Sequence, residues 1–322
     1  MKKILVIRLS SIGDIILTSP LTRCLKLQQS STIHFLVKQE YKDLLHHNPY
    51  IDKIITFSDS YFKTSSKLKT EEYDLVIDLQ NNLLSNCFKF QLNKKTLTFK
   101  KRSLKRLLFI YFNINLQKNH IVDRYFDVIK SIKVFNDQNG LEYFLEKNTH
   151  IKFSFPDKYI AWSIGASHNN KKLSFEQILE VCNDLCLPIV LLGGKNETNM
   201  GEEIKRRSSN QSIYNFAGKL SIDKSAYFLK HSLLVLTNDT GLMHIASAFK
   251  KTILSFWGCT KPMQGFRPYL TDVKSREIVF NPTSAPCSKY GKRCRLYAGG
   301  CVKRIEPRLI TNSVQQILLE LG

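Results

Sequence analysis

The sequence predicts an α/β protein made of two doubly wound parallel-sheet domains facing an interdomain cleft. Three observations carry that prediction. The chain has 322 residues, about two ordinary domains. Short apolar strands alternate with amphipathic helical stretches, the pattern of parallel sheets covered by helices. The alternation breaks once, near the middle. Hydrophobic residues make up 43% and charged residues 23%, near globular averages, and no uncharged apolar run approaches the ~18 residues that span a bilayer. Disorder, membrane insertion and a small disulfide-stapled fold are therefore not expected.

The first strand is expected over residues 4–9, Ile-Leu-Val-Ile-Arg-Leu. Its basic start looks like a secretory n-region, but Arg8, Ser10, Ser11 and Asp14 interrupt the apolar run, so it reads as the opening strand of a cytosolic chain. Strands follow at 33–37, 53–57 and 75–79, each apolar and rich in β-branched residues. Asn-Asp-Gln-Asn-Gly at 136–140 and Phe155-Pro156-Asp157 supply turn signals. They divide the chain into domains 1–154 and 155–322. The second series of strands is expected at 160–164, 189–192, 233–237 and 252–256. The last apolar helix, about 311–321, fits against either domain. Open α/β sheets bind ligands beyond the carboxyl ends of their strands, so function is sought in the loops that follow them.

The 48 Lys and Arg against 27 Asp and Glu leave a net charge of +21, which attracts polyanions. Residues 85–133 hold twelve basic residues and only Asp123 and Asp127 as acids. Within them, 100–112 sets Lys100, Lys101, Arg102, Lys105 and Arg106 beside Leu107, Leu108, Phe109, Ile110, Tyr111 and Phe112, as an interfacial helix would. A partly buried helix with solvated lysines has the same pattern. The eight cysteines, with no signal peptide expected, read as free thiols. Cys287, Cys294 and Cys301, with six residues between neighbours, form a candidate structural cluster. No metal is assigned to them, because zinc takes four ligands in tighter pairs.

Three strings could carry chemistry. Ser10-Ser11-Ile12-Gly13-Asp14 follows the first strand and opens a helix. Asp14 there is either a helix cap, with Gly13 in an unusual backbone conformation, or a general base for an incoming hydroxyl. Neither a dinucleotide fingerprint nor a P-loop is present. Asn238-Asp239-Thr240-Gly241-Leu242-Met243-His244 follows the strand at 233–237 and begins a helix whose first N–H groups suit a diphosphate, Asp239 or Thr240 being caps in the plainer reading. Gly165-Ala166-Ser167 with Lys171 ends the strand at 160–164, and a lysine there neutralises a leaving phosphate. Gly193-Gly194 with Glu197 ends another, where a carboxylate accepts hydrogen bonds from a ribose.

Taken in order, these strings resemble glycosyltransferase family 9, the ADP-heptose:lipopolysaccharide heptosyltransferases. Arg8 to Asp14, Asp78-Leu79-Gln80 and His120-x-Val122-Asp123-Arg124-Tyr125 match in the first half. Gly165-Ala166-Ser167, Lys171, Gly193-x-x-x-Glu197, Ala217-Gly218-Lys219, Asp239 to Ala246 and Gly258-x-Thr260-x-Pro262 match in the second. The resemblance implies a GT-B fold of two Rossmann-like domains, the first binding acceptor and the second the nucleotide-sugar. It implies Asp14 as general base and Lys171 as the group that stabilises departing ADP, with inversion at the anomeric carbon. Gly13, Ser167, Glu197, Asp239, Thr240, Gly241 and His244 would contact the donor; Ser10, Asp78, Gln80 and Arg124 lie on the acceptor side. No Asp-x-Asp is present, so metal-independent transfer without cofactor is expected, lysine and helix N-terminus serving in place of a cation. The expected partners are ADP-heptose, a phosphorylated glycolipid acceptor and the anionic inner face of the cytoplasmic membrane, with peripheral contact and no nucleic acid. Asn81, Leu84, Cys259 and Lys261 depart from the family pattern. The alternatives are a same-fold enzyme with another donor sugar or glycan acceptor, and a non-enzymatic polyanion binder.

Overall fold

Eight of the strands lie where the apolar runs put them, to within about a residue or two at either end. The structure is a computed structural model and describes residues 2–116, 119–146 and 156–322. The chain divides into two compact units, Met1–Arg102 with Asn119–Glu146, and Ser103–Lys118 with Lys147–Gly322. The expected boundary at 154/155 lies outside the described residues.

The first unit contains β1 (Lys3–Ile7), α1 (Ile12–Ile16), α2 (Ser19–Gln29), β2 (Thr32–Lys38), β3 (Lys53–Phe57), α3 (Tyr61–Lys69), β4 (Leu75–Asp78), α4 (Leu83–Leu92) and β5 (Thr96–Thr98). After α5 (Ser103–Phe112), which groups with the second unit, α6 (Ile121–Ile129) completes it. The sheet is parallel throughout, in the order β3-β2-β1-β4-β5. β1 is central, and Ile4, Leu5, Val6 and Ile7 are wholly buried. Each contributes roughly 1.5–3 kcal/mol through burial. Such a continuous apolar run, rather than an alternating one, is what a strand covered on both faces requires.

The second unit contains β6 (Ile160–Ser163), α7 (Phe175–Asp184), β7 (Ile189–Leu192), α8 (Thr198–Arg207), β8 (Ile213–Asn215), α9 (Ile222–His231), β9 (Leu234–Asn238), α10 (Gly241–Ala248), β10 (Ile253–Trp257), β11 (Arg276–Val279) and α11 (Pro307–Leu321). Its sheet is also all parallel, in the order β11-β10-β9-β6-β7-β8. The last helix packs in this unit: Ile310, Val314 and Ile317 join the core that holds Trp162, Val181 and Phe256. The strands not anticipated, β5, β8 and β11, all sit at sheet edges, where short strands lack the run of apolar residues that marks a central one.

Residues 103–118 fall before the expected boundary yet group with the second unit. Asn113 Nδ2 donates to the carbonyl of Thr283 at 2.9 Å, Arg295 Nη2 donates to that of Ile110, and the Arg106 guanidinium lies over the Tyr290 ring. Arg106, read in the sequence as one of the surface cations, is therefore buried. The exposed residues of α5 are mainly apolar, with Leu104 71%, Leu107 48%, Tyr111 65% and Phe112 69% exposed, and Lys105 stands exposed among them. None of the described helices is long and apolar enough to cross a membrane.

Candidate active site

In the first sheet, the chain runs from β1 outward through β2 and β3, then returns to place β4 on the other side of β1. The loops after β1 and β4 thus part at a topological switch point, where open α/β sheets hold ligands. Asp14 is the third residue of α1, behind the N-cap Ser11. The Ser11 N–H and hydroxyl donate to Asp14 Oδ2 at 3.5 and 3.1 Å, and Arg8 Nη2 forms an ion pair with the same oxygen at 2.8 Å. Arg8 is fixed in turn, donating from Nη1 to the Leu79 carbonyl at 2.6 Å and from Nε to that of Ser10 at 2.9 Å. The cap expected of Asp14 belongs to Ser11, and Asp14 is its reciprocal partner in a capping box. The carboxylate is held from two sides, yet its side chain stays 27% exposed, open enough to meet a hydroxyl. Gly13 is buried inside α1 and is not among the residues with positive φ, so the unusual backbone expected there is not found.

Asp78 ends β4 and is wholly buried. Its Oδ1 accepts from the N–H groups of Gln80 and Asn81 at 2.9 and 2.8 Å, and its Oδ2 from the Ser85 hydroxyl and Lys89 Nζ at 2.9 and 2.8 Å. This residue builds the loop. It sets Gln80, whose Oε1 accepts from the Leu9 N–H at 3.1 Å, and Asn81, which takes a left-handed φ of 45°. Asn81 Nδ2 then donates to the Phe99 carbonyl at 2.8 Å. Arg124, on α6, is buried with its guanidinium over the Phe99 ring and donates to the Lys100 carbonyl at 3.4 Å. It lines a cavity of about 370 Å³ with Thr96–Lys100, Arg102, Asp127 and Val128. Burial pushes the neighbouring Tyr125 phenol well above its ordinary range, and Asp14 adds to that rise while Arg8 opposes it.

The second sheet repeats the logic. β7 and β8 lie on one side of β6, and β9, β10 and β11 on the other. The loops after β6 and β9 part at this second switch point, and they carry Lys171 and Asp239. Lys171 Nζ meets Asp239 Oδ2 at 2.5 Å, and the Thr260 hydroxyl donates to that same oxygen at 2.9 Å. Both charged side chains are mostly buried, 11% and 13% exposed. Thr240 caps α10 by accepting from the Met243 N–H at 3.3 Å. Asn238, wholly buried, clamps the two loops from below, its Nδ2 facing the carbonyls of Ile164 and Gly165 at 3.2 Å each. A fixed cation thus stands at the same switch point as the first N–H groups of α10, an arrangement that suits a diphosphate. Burial, with the charges of Lys171 and Lys292, holds the His168 imidazole below its ordinary value.

The other donor-side residues are placed less openly. Glu197 is buried, its Oε1 paired with Lys172 Nζ and its Oε2 accepting from the Gly194 N–H at 2.9 Å. A side chain at Gly165 or Gly193 would sit 2.8 or 2.9 Å from Glu197 atoms, which is why glycine stands at both. His244 is buried one turn into α10, Gly241 is half-buried at its start, and Ser167 is exposed on the loop after β6.

Several residues escaped the sequence reading. Arg8 and Thr260 lay inside recognised strings without an assigned role, although each holds a candidate catalytic or binding carboxylate. Lys172, next to Lys171, pairs with Glu197. Lys261 is buried, with Nζ donating to the carbonyls of Phe280 and Asn281 at 2.5 and 2.8 Å. Cys287, Cys294 and Cys301 do converge, and Cys259 joins them as a fourth thiol.

The profile of glycosyltransferase family 9 (heptosyltransferase) matches residues 61–298. The chain is 26% identical over 290 residues to lipopolysaccharide heptosyltransferase 1 of Campylobacter coli, an alignment that spans 80% of this chain and 84% of that one. Its fold is similar to a family 9 glycosyltransferase from Veillonella parvula, with a TM-score of 0.81 at 19% identity over 99% of this chain and 98% of that one. It is also similar to the Escherichia coli heptosyltransferase WaaC with ADP, with a TM-score of 0.71 at 17% identity over 99% and 100% of the two chains. These folds are the two-sheet α/β architecture described above.

Proposed function

The chain belongs to glycosyltransferase family 9, the heptosyltransferases, and on that premise we propose that it moves a heptose from ADP-heptose to a lipopolysaccharide inner-core acceptor with inversion. The observation that carries the donor side is Lys171 beside Asp239 at the switch point where α10 begins. The Lys171 ammonium and the first N–H groups of α10 neutralise the diphosphate as its bond to the anomeric carbon breaks. Glu197 takes the ribose, since each carboxylate oxygen keeps a lone pair beyond its present partner. Asp14 accepts the proton of the attacking acceptor hydroxyl, and the new glycosidic bond forms on the face opposite the departing ADP. Arg8 keeps the Asp14 carboxylate in place. Lysine and helix N-terminus meet the charge of the leaving group, and the chain has no Asp-x-Asp pair to chelate a cation, which favours metal-independent transfer.

Three of the four departures from the family pattern have an internal use in this chain. Asn81 closes its loop on Phe99, Leu84 packs on the first core, and Lys261 ties down two carbonyls. The exposed apolar face of α5, on a chain of net charge +21, supports peripheral attachment to the anionic inner face of the cytoplasmic membrane, where a lipid-linked acceptor resides.

Calorimetric titration with ADP, UDP and GDP, repeated on Lys171→Ala, tests this reading. ADP is expected to bind most tightly, and the variant to lose roughly 10- to 100-fold in affinity, as a charge-assisted hydrogen bond worth about 1.5–3 kcal/mol requires. Preference for UDP or GDP, or an unchanged affinity in the variant, overturns the donor assignment.

A further inference from the structure

We propose that Cys259, Cys287, Cys294 and Cys301 bind one zinc or ferrous ion in a tetrahedral four-thiolate site. The four sulfur atoms lie within 4.8 Å of one another. Three of the distances are 3.8 Å for Cys287–Cys294, 3.5 Å for Cys287–Cys301 and 3.4 Å for Cys294–Cys301. A tetrahedron with metal–sulfur bonds of about 2.3 Å has edges of about 3.8 Å, so the thiols already stand close to coordination distance. All four are free, and none of these three pairs approaches the ~2.05 Å of a disulfide. A two-iron or four-iron cluster does not fit, because its thiolates bind different irons with sulfide between them and so stand further apart.

The surroundings suit an anionic sulfur centre. Cys259, Cys287 and Cys301 are buried, as a dry metal shell requires. The Cys301 N–H donates to Cys259 Sγ at 3.4 Å, and the Tyr297 N–H to Cys294 Sγ at 3.3 Å. Four thiolates and a divalent ion carry a net charge of −2. Residues 278–305, which hold three of the four cysteines, contain six Lys and Arg and no acid, so the stretch is itself cationic. The same stretch needs an organiser, since residues 280–300 form neither helix nor strand. Binding forms four metal–sulfur bonds and releases up to four thiol protons to solvent, with no change of oxidation state.

The site would clamp the floor of the donor pocket. Cys259 precedes Thr260, which holds Asp239. Gly291, between the second and third thiols, lies so close to Lys171 that a Cβ there would stand 2.7 Å from its Cγ, and Gly300, just before the fourth, presses equally on the Asn170 backbone. This consequence rests on the donor-site reading, whereas the metal content does not.

The test is metal analysis of the full chain purified without added metal, followed by anaerobic cobalt(II) substitution. One equivalent of zinc or iron per chain is expected, the element telling the two apart, together with the sulfur-to-cobalt charge-transfer absorption of a tetrahedral four-thiolate site. Cys294→Ser, at the most exposed of the four, should lower bound metal to below a tenth of an equivalent or leave a three-thiolate cobalt spectrum. Cys87→Ser, remote and exposed, should change neither. A wild-type chain with under a tenth of an equivalent that also gives no charge-transfer band with cobalt overturns the proposal, and so does a non-reducing mass that shows paired disulfides among the four. If metal is bound but its removal leaves ADP affinity unchanged, the site stands and the clamp on the donor pocket falls.

Discussion

At the residue scale, the candidate site depends on side chains that hold other side chains. Asp14 takes its orientation from Arg8 and Ser11, Asp239 from Lys171 and Thr260, and Glu197 from Lys172 and the Gly194 N–H. The carboxylates themselves were legible in the sequence because each follows a strand and opens a helix. Their holders were not, because a salt bridge between residues 68 apart, as for Lys171 and Asp239, leaves no local spacing to read. Cys259 was unreadable as a cluster member for the same reason, lying 28 residues before Cys287. Gly165 gives a direct test of this tightness. Gly165→Ala places a methyl group 2.8 Å from Glu197 Oε2, and overpacking of that kind costs about 1–3 kcal/mol. Chemical denaturation should show that loss, and ADP affinity should fall with it as Glu197 is displaced. Unaltered stability and affinity would show that Glu197 has room to move and is not set by its glycines.

At the element scale, central strands announced themselves and edge strands did not. β1, β4, β6 and β9 are each built on an apolar run because both faces are covered, while β5 and β8 are three residues long and contribute little pattern. The helix at 103–112 was visible from its apolar and basic pattern, but its partner was not, since its contacts are to residues more than 140 positions later. One tie between elements is suited to measurement. Arg23 on α2 is buried and binds Asp137 at 2.7 Å and Glu142 at 2.7 Å, fastening the segment that follows α6. The Arg23 guanidinium holds the Asp137 carboxyl at about 2, down from 3.8. Because the folded value is depressed, this stabilisation is present above about pH 3.8 and is lost as the pH falls toward 2. Arg23→Met should therefore lower stability at neutral pH by roughly 2 kcal/mol, between the values of exposed and buried pairs. The variant should also show a shallower decline in unfolding free energy over that acid range. An equally steep decline would assign the acid sensitivity to other carboxylates.

At the scale of the whole molecule, charge and exposed apolar surface act together. On the proposed peripheral attachment, the +21 excess would draw the chain to anionic surfaces over a range set by salt, and the exposed Leu104, Leu107, Tyr111 and Phe112 would supply the apolar contact that charge alone lacks. Flotation with anionic vesicles should recover the wild-type chain, and Leu104→Glu with Leu107→Glu should reduce that recovery at least about 10-fold, since each buried leucine contributes roughly 1.5–3 kcal/mol. Equal recovery would leave electrostatic attraction as the sole source of binding. The GT-B fold could be named from the sequence because the two strand–helix series and the ordered strings agree.

In the proposed mechanism, Asp14 takes the proton of the acceptor hydroxyl during heptose transfer. The measurement that meets it most directly is the rate of ADP release from ADP-heptose in the presence of heptose-deficient lipopolysaccharide, for the wild-type chain and for Asp14→Asn. Acceptor-dependent release is expected from the wild type, with a loss of roughly 10²- to 10⁴-fold in the variant, the span of general-base catalysis, at unchanged ADP affinity. Transfer retained in a folded Asp14→Asn protein would contradict the claim.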